Sequence, residues 1–257
     1  MAGAPSRIAS LVPSITETLF ALGLAEKIVG VTRYCERPRQ MPPHVRRVGG
    51  TKNPEIEAIR ALSPDLVFVN TEENRREDIE AIKEFAVVSE SFARTAPEGV
   101  ALVRQLGELT GAHREAREMA ESIETELSLL EKQSARAGGQ RRRAGYFIWK
   151  DPWMSVGRDT FIHDVLVCAG LENVYAGRSE RYPETSFEEM ARLAPEVILL
   201  PHEPYSFTEK HRAELLERED IPAARMGRIY LVNGQYFCWY GVRQIEALRW
   251  IREVLSA

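Results

Sequence analysis

Aromatic side chains cluster in short segments that follow the predicted β-strands, and they are the first candidates for chemistry. Four of the five residues in 236–240 are aromatic, and Trp149 and Trp153 follow another strand. A single loop aromatic more often packs beneath its own loop, but four neighbours cannot all enter one core. Since large flat rings suit a large flat ligand, we interpret segment 236–240 as a ligand contact.

Polar residues in the other post-strand segments complete the candidate site. In parallel α/β sheets, ligands bind beyond the carboxyl ends of the strands. The predicted ligand-binding residues are therefore Ser14, Arg33, Tyr34, Cys35, Asn70, Glu72, Trp149, Trp153, His202, Tyr205, Tyr236, Phe237, Trp239 and Tyr240.

The sequence carries no motif of a common enzyme or metal site. It contains no G-x-S-x-G, P-loop, G-x-G-x-x-G or H-E-x-x-H, and its five histidines never pair at metal-ligand spacing. Its three widely spaced cysteines indicate neither a disulfide framework nor a zinc site. Cys35 could offer a thiolate, although a lone buried cysteine usually acts as a small hydrophobe. Among the five histidines, only His202 lies in a segment that follows a predicted strand. It could act as a metal ligand or as a polar residue at the rim of the site.

Composition indicates a soluble globular protein of one large or two compact domains. The chain has 257 residues, 44% of them hydrophobic and 28% charged, and a net charge of -4. No basic field indicates nucleic acid, and the apolar runs are too short to span a bilayer. The N-terminal residues lack the pattern of a signal peptide. We therefore expect either a cytoplasmic protein or one whose leader has been removed.

Predicted strands and helices alternate along the chain, which favours α/β units with parallel strands. Strands are predicted at 7–12, 27–32, 66–69, 86–89, 144–149, 197–200 and 229–232. Helices are predicted to end at 22 and to span 54–62, 77–85, 97–109, 160–169, 187–193, 209–218 and 242–255. Asn53 is the expected N-cap of helix 54–62.

The longest predicted helix, 112–136, has apolar residues spaced by threes and fours and ends before Gly138 and Gly139.

The sequence before this helix resembles the sequence after it. Segment 61–69 matches 192–200, and segment 19–24 matches 166–171 in the same order. We predict two similar α/β lobes, 1–111 and 138–257, joined by a bridging helix at 112–137. An uninterrupted helix has no soft hinge, so little relative movement is expected. The strand ends would flank a cleft that holds the ligand.

Several segments together carry a family resemblance. They are Ser10-Leu-Val-Pro-Ser-Ile-Thr-Glu17, Gly30-Val-Thr-Arg-Tyr-Cys35, Gly49-Gly50 and Leu62-Ser-Pro-Asp-Leu66, together with the bridging helix. These segments resemble the class III periplasmic binding proteins, above all their cobalamin-binding branch and its relatives for iron-siderophores and haem. The resemblance implies a two-lobed receptor, outside the cytoplasm, that docks on an ABC permease through a surface carboxylate of each lobe. Glu188 matches in the second lobe. In the first lobe Arg76 occupies the place, flanked by Glu73 and Glu77.

The leading interpretation is a monomeric, non-enzymatic receptor for a corrinoid such as cobalamin or a related metal-chelate, without a cofactor of its own. A ferric-siderophore or haem receptor is a close alternative. A cytoplasmic enzyme or chaperone for tetrapyrroles, of chelatase type, is another. It would need an acid/base pair, which Glu17, Glu72, Glu73 and His202 could supply.

Overall fold

The computed structural model describes residues 4–136 and 141–255 and divides the chain into two compact units. Unit 1 contains the residues up to Ala93, Pro97–Ile123 and Tyr240–Arg243. Unit 2 contains Arg94–Ala96, Glu124–Trp239 and the residues from Gln244. The predicted helix stop at Gly138 and Gly139 lies outside the described residues. The predicted three-part division stays a prediction.

Unit 1 is built on a five-stranded parallel sheet in the order β3-β2-β1-β4-β5. Its middle strands are buried apolar runs, as expected of strands covered on both faces. The chain moves outward from β1 on one side and then restarts with β4 on the other, which places a topological switch point between β1 and β4. The strands are β1 (Ile8–Ser10), β2 (Ile28–Val31), β3 (Arg46–Arg47), β4 (Leu66–Asn70) and β5 (Val87–Ser91).

The helices of unit 1 begin close to the predicted positions. Pro13 opens the first helix, where a missing N–H costs nothing. The predicted N-cap Asn53 is wrong: Glu55 holds that position, and Asn53 instead accepts a hydrogen bond from Arg33. The helices are α1 (Pro13–Ala21), α2 (Ile56–Ala61), α3 (Arg76–Lys83) and α4 (Ala96–Thr110).

One long helix, α5 (His113–Arg136), begins in unit 1 and continues without a break into unit 2. Gly111, with φ +80°, separates it from α4. The predicted apolar stripe is buried at Ala116, Met119, Ala120, Ile123 and Leu130. The predicted helix begins one residue too early, at Ala112 instead of His113.

Unit 2 has a six-stranded sheet with the main order β11-β10-β6-β7-β9, and β8 pairs with β6. Strands β6, β8, β10 and β11 are mutually parallel, whereas β7 is antiparallel to both β6 and β9. Strand β7 was not among the predicted strands. The strands are β6 (Arg142–Trp149), β7 (Trp153–Ser155), β8 (Leu171–Asn173), β9 (Glu184–Thr185), β10 (Val197–Pro201) and β11 (Ile229–Val232).

The helices of unit 2 cover a core that contains Phe147, Tyr175, Ile198 and Leu200. Thr160 caps the first of them by accepting the backbone N–H of His163. Two short helices were not predicted, and one of them lies in the segment interpreted as an aromatic loop. The helices are α6 (Phe161–Cys168), α7 (Phe187–Leu193), α8 (Glu209–Leu216), α9 (Pro222–Arg225), α10 (Gln235–Cys238) and α11 (Arg243–Val254).

Candidate functional site

A buried polar cluster occupies the switch point of the unit 1 sheet. The Asn70 Nδ2 atom donates to the Tyr240 hydroxyl at 2.6 Å, and that hydroxyl also hydrogen-bonds the side chains of Ser14 and Ser91. These residues follow or end β1, β4 and β5, so one hydroxyl joins three strand ends. Ser14, Asn70, Ser91 and Tyr240 are only 3%, 3%, 5% and 5% exposed. These buried side chains brace this edge of the sheet, and the predicted ligand contacts of Ser14, Asn70 and Tyr240 stay predictions.

We call Tyr240, Ser14, Asn70 and Ser91 the Tyr240 cluster. Burial governs the protonation of its tyrosine hydroxyl. Removal from water raises the pKa of Tyr240 to about 12, and the charge of Glu73 acts in the same direction. The hydroxyl therefore stays protonated over the physiological range and can both donate and accept hydrogen bonds.

Residues Tyr240–Arg243 form a clasp segment that joins unit 1 from late in the chain. Gly241 has φ +83°, and a Cβ there would lie 2.1 Å from the Thr18 Oγ1 atom, so only glycine fits. The same Oγ1 atom accepts the backbone N–H of Val242 at 3.1 Å. The Arg243 Nε atom donates to Glu17 at 3.1 Å, and its Nη2 atom makes a second contact to the same carboxylate. Glu17 is thus a structural ion-pair partner.

The loop after β4 is held in shape by asparagine side chains. Asn70 Oδ1 accepts the backbone N–H groups of Glu72 and Glu73, at 2.7 and 3.1 Å. Asn74 Nδ2 donates to the Thr51 carbonyl at 2.9 Å, and Lys52 donates to the Glu72 carbonyl at 2.5 Å. The exposed Glu72 is therefore presented by a braced loop, and its predicted ligand contact stays a prediction.

The turn after β2 presents an arginine and an aromatic ring to solvent. Tyr34 is 53% exposed, and the Arg33 guanidinium lies 5.5 Å from its ring centroid. Arg33 also donates to Asn53 at 3.1 Å. Both residues are accessible, as their predicted role requires.

Cys35, in contrast, is fully buried beneath this turn. Its sulfur lies 3.1 Å from the Thr16 hydroxyl and 3.2 Å from that of Thr32. Burial raises the pKa of the Cys35 thiol, although hydrogen bonds to both threonines lower it. The prediction that Cys35 contacts ligand is wrong, because none of the residue reaches the surface.

In unit 2, an aromatic stack leads from the core to an exposed tryptophan. Trp153 is 7% exposed and stacks on Phe207 with 5.6 Å between ring centroids. Phe207 packs on Tyr205 at 4.7 Å, and Tyr205 meets Trp149 edge-on at 5.3 Å. Trp149 is 44% exposed. The predicted ligand role is therefore corrected for Trp153, which is core, while Trp149 and Tyr205 lie where a ligand can reach them.

The loop after β10 carries His202, whose side chain is 50% exposed. Its Nδ1 atom accepts the backbone N–H of Gly234 at 3.1 Å, and its Nε2 atom lies 3.8 Å from Glu203. The first bond leaves Nε2 as the protonated nitrogen of a neutral ring.

The aromatic segment 236–240 is split between different environments. Phe237 is fully buried against Tyr146, with ring centroids 5.1 Å apart, so its predicted ligand contact is wrong. Tyr236 donates its hydroxyl to Glu246 at 2.6 Å. Trp239 is half-buried and is the C-cap residue that follows α10. The expectation of one aromatic loop is wrong, although Tyr236 and Trp239 stay predicted contacts.

The carboxylates predicted to dock a permease are at the surface to different degrees. Glu188 is exposed in the first turn of α7, and a hydrogen bond from Ser186 lowers its pKa. Glu77 is exposed and lies 3.9 Å from Arg75, whereas Glu73 is half-buried.

One accessible aromatic was not predicted. Phe92 immediately follows β5 and is 42% exposed. The predicted strand ended at Ser89, two residues early, so Phe92 was not recognised as following a strand. Glu90 and Ser91 continue β5 past that point, and applying the strand-end rule at Ser91 identifies Phe92.

No group of three or more His, Cys, Asp or Glu side chains within residues 4–136 and 141–255 is arranged to hold a metal ion. Within the same ranges, every helix is too short or too polar to cross a membrane.

The chain therefore combines two α/β units with accessible aromatics at strand ends. A family model described as "Periplasmic binding protein" matches residues 8–236, and the chain belongs to this family. The family is a class of transport substrate-binding proteins. The match confirms the predicted family, and the two sheets of mostly parallel strands confirm the predicted α/β fold class.

Two relatives illustrate the family at the level of sequence. The "uncharacterized ABC transporter substrate-binding lipoprotein YvrC" of Bacillus subtilis is 26% identical, over 97% of this chain and 79% of its own length. A vitamin B12-binding protein of Vibrio parahaemolyticus is 25% identical, over 92% of this chain and 84% of its own.

Solved structures share the fold over nearly the whole chain. The periplasmic vitamin B12-binding protein BtuF of Vibrio cholerae has a TM-score of 0.82 at 22% identity, covering 98% of this chain and 96% of its own. The periplasmic haem-binding protein BhuT, in complex with two haems, has a TM-score of 0.84 at 22% identity, covering 99% and 98%.

Proposed function

We propose that this protein binds a corrinoid, or a related metal-chelate, and delivers it to an ABC importer. The observation that carries the proposal is the exposed indole of Trp149, which Tyr205 holds edge-on at 5.3 Å. An aromatic ring fixed in this way covers a flat ligand at little cost in side-chain entropy. Tyr34, with Arg33 beside its ring, offers a comparable surface in unit 1.

The names of the relatives support this choice of ligand class. Several relatives 23–26% identical to the chain are vitamin B12-binding proteins, which favours a corrinoid. Haem-binding proteins among the solved structures make a haem receptor the second candidate. In either case we propose that the chelate is the cargo and that the protein has no cofactor of its own.

Binding is tested by titrating the purified protein with cyanocobalamin, cobinamide, haemin and a ferric siderophore, monitored by visible absorbance and tryptophan fluorescence. We expect micromolar or tighter binding of at least one of these. Trp149→Ala should weaken that binding at least tenfold, since removing an aromatic anchor costs about 2 kcal/mol.

The matched control is Tyr230→Ala, which removes a 43% exposed aromatic from β11. It should leave affinity within about twofold. Failure of the wild-type protein to bind any of the four probes would refute the proposed function.

We further propose that the protein acts outside the cytoplasm as a monomer and that Glu188 pairs with a basic residue of the permease. Glu188→Lys should reduce uptake in cells while leaving ligand affinity unchanged, because a rim charge acts on docking. Glu217→Lys, at the exposed end of α8, is the charge-matched control. Equal loss of uptake and affinity would place Glu188 in the ligand site instead.

A further inference from the structure

A small pocket lies in unit 1 where the end of β5 meets α4. Its volume is about 260 Å³. Phe92, Ala93 and Leu102 contribute apolar wall, and the polar groups come from Glu90, Glu98 and Gln105. No sequence motif and no relative's name points to this pocket.

The pocket adjoins the Tyr240 cluster. Ser91, which lines it, is paired in register with Asn70 and donates its hydroxyl to the Val69 carbonyl at 2.9 Å. The same Ser91 side chain hydrogen-bonds Tyr240. The pocket therefore continues the carboxyl edge of the unit 1 sheet, where ligands of parallel α/β units bind.

Its size suits one side group of a ligand. Sites for whole small molecules occupy about 300–1,000 Å³, so 260 Å³ is too little for a macrocycle. An amide-bearing arm of two or three carbons fits with room for water.

The polar lining discriminates between side groups by charge. Carboxylates only accept hydrogen bonds at neutral pH, so the N–H groups of an amide can donate to Glu90 and Glu98. A ligand carboxylate would meet like charges at short range. Lys83 lies 2.7 Å from Glu90 and offsets part of its charge. Glu98 lies in the first turn of α4 and is the carboxylate chosen for the test.

On the basis of the proposed function, we infer that this pocket receives a neutral amide arm and selects a corrinoid against a porphyrin that carries carboxylates. Corrin rings bear primary amides around their edge, whereas haem bears propionates. The pocket thus acts as a specificity determinant, while the exposed Tyr34 of the same unit binds the flat surface common to both ligands.

The test compares cyanocobalamin and haemin affinities in Glu98→Gln, which keeps the shape and removes the charge. Cyanocobalamin should bind about fivefold more weakly, since a charge-assisted hydrogen bond becomes a neutral one. Haemin should bind more tightly, so that the ratio of the two affinities shifts at least tenfold. Gln105→Glu should shift the ratio in the opposite direction.

Glu108→Gln is the matched control, because Glu108 lies on the same helix but faces His113 at 3.2 Å and does not line the pocket. It should leave the ratio unchanged. A wild-type protein that prefers haemin, or a ratio that stays constant in both pocket variants, overturns this inference while the proposed function stands. Binding of neither cyanocobalamin nor haemin by the wild-type protein overturns the inference as well, and absence of binding to all four probes also refutes the proposed function.

Discussion

Replacing Tyr240 with phenylalanine tests the role assigned to the Tyr240 cluster. Phenylalanine keeps the ring and removes only the hydroxyl, so no cavity of appreciable size forms. The change deletes the 2.6 Å bond from Asn70 and the hydrogen bonds to Ser14 and Ser91. All three partners are buried, and water cannot readily replace the lost bonds.

The expected cost follows from this burial. A net hydrogen bond contributes about 1 kcal/mol, and a buried donor left unsatisfied costs about 1–3 kcal/mol. We expect Tyr240→Phe to lower the free energy of unfolding by about 2 kcal/mol. Loss of the bond also frees Asn70, which holds the loop bearing Glu72, so ligand affinity should fall as well.

Urea unfolding followed by circular dichroism measures the stability, and the titration described above measures the affinity. Tyr230→Phe, at an exposed position of β11, serves as control and should change stability by less than about 0.5 kcal/mol. A Tyr240→Phe protein as stable as the control would refute the argument. Normal stability with lost affinity would instead place the hydroxyl in direct contact with ligand.

Three further predictions concern the Glu17 ion pair, the unit 2 core and the pH dependence of stability. Arg243→Ala should destabilise the protein by about 3 kcal/mol or more in urea unfolding, because it leaves the Glu17 charge largely buried and without this partner; a change below 1 kcal/mol would contradict this. Trp153→Ala should lower the free energy of unfolding by about 3–5 kcal/mol, because it truncates a core side chain. An unchanged midpoint in thermal melts would contradict the placement of Trp153 in the core. Because the folded pKa of Tyr240 is about 12, above its usual value of 10, its contribution to stability should be present below pH 10 and lost as pH rises towards 12. Urea unfolding at pH 9 and pH 11 should therefore show a smaller decline for Tyr240→Phe than for the wild type.

Long periodic elements could be read from the sequence, and very short ones could not. The predicted bounds of α7 and β11 match the structure, and α5 differs by one residue. Strands β3 and β9 have two residues each, too few to show a period. Strand β7 follows Asp151, whose φ of +64° allows the chain to reverse tightly. The residue type alone does not predict this backbone conformation.

The candidate site was predicted in part. The strand-end rule found the accessible Tyr34 and Trp149, because it depends only on strand positions. It could not distinguish surface from support, since burial depends on packing partners distant in sequence. The aromatics of 236–240 do not share one core, as expected, but two of them are buried in different units. Phe237 enters the core of unit 2, and Tyr240 enters unit 1.

The clasp segment has a consequence for the order in which the protein can fold during synthesis. Unit 1 uses residues from the start of the chain, yet its polar cluster requires Tyr240 and its Glu17 ion pair requires Arg243. The ribosome must therefore translate all of Glu124–Trp239 before the first unit can be completed. At ordinary synthesis rates this delay lasts on the order of ten seconds. During that interval the nascent N-terminal unit lacks its last hydrogen bonds and is open to chaperones.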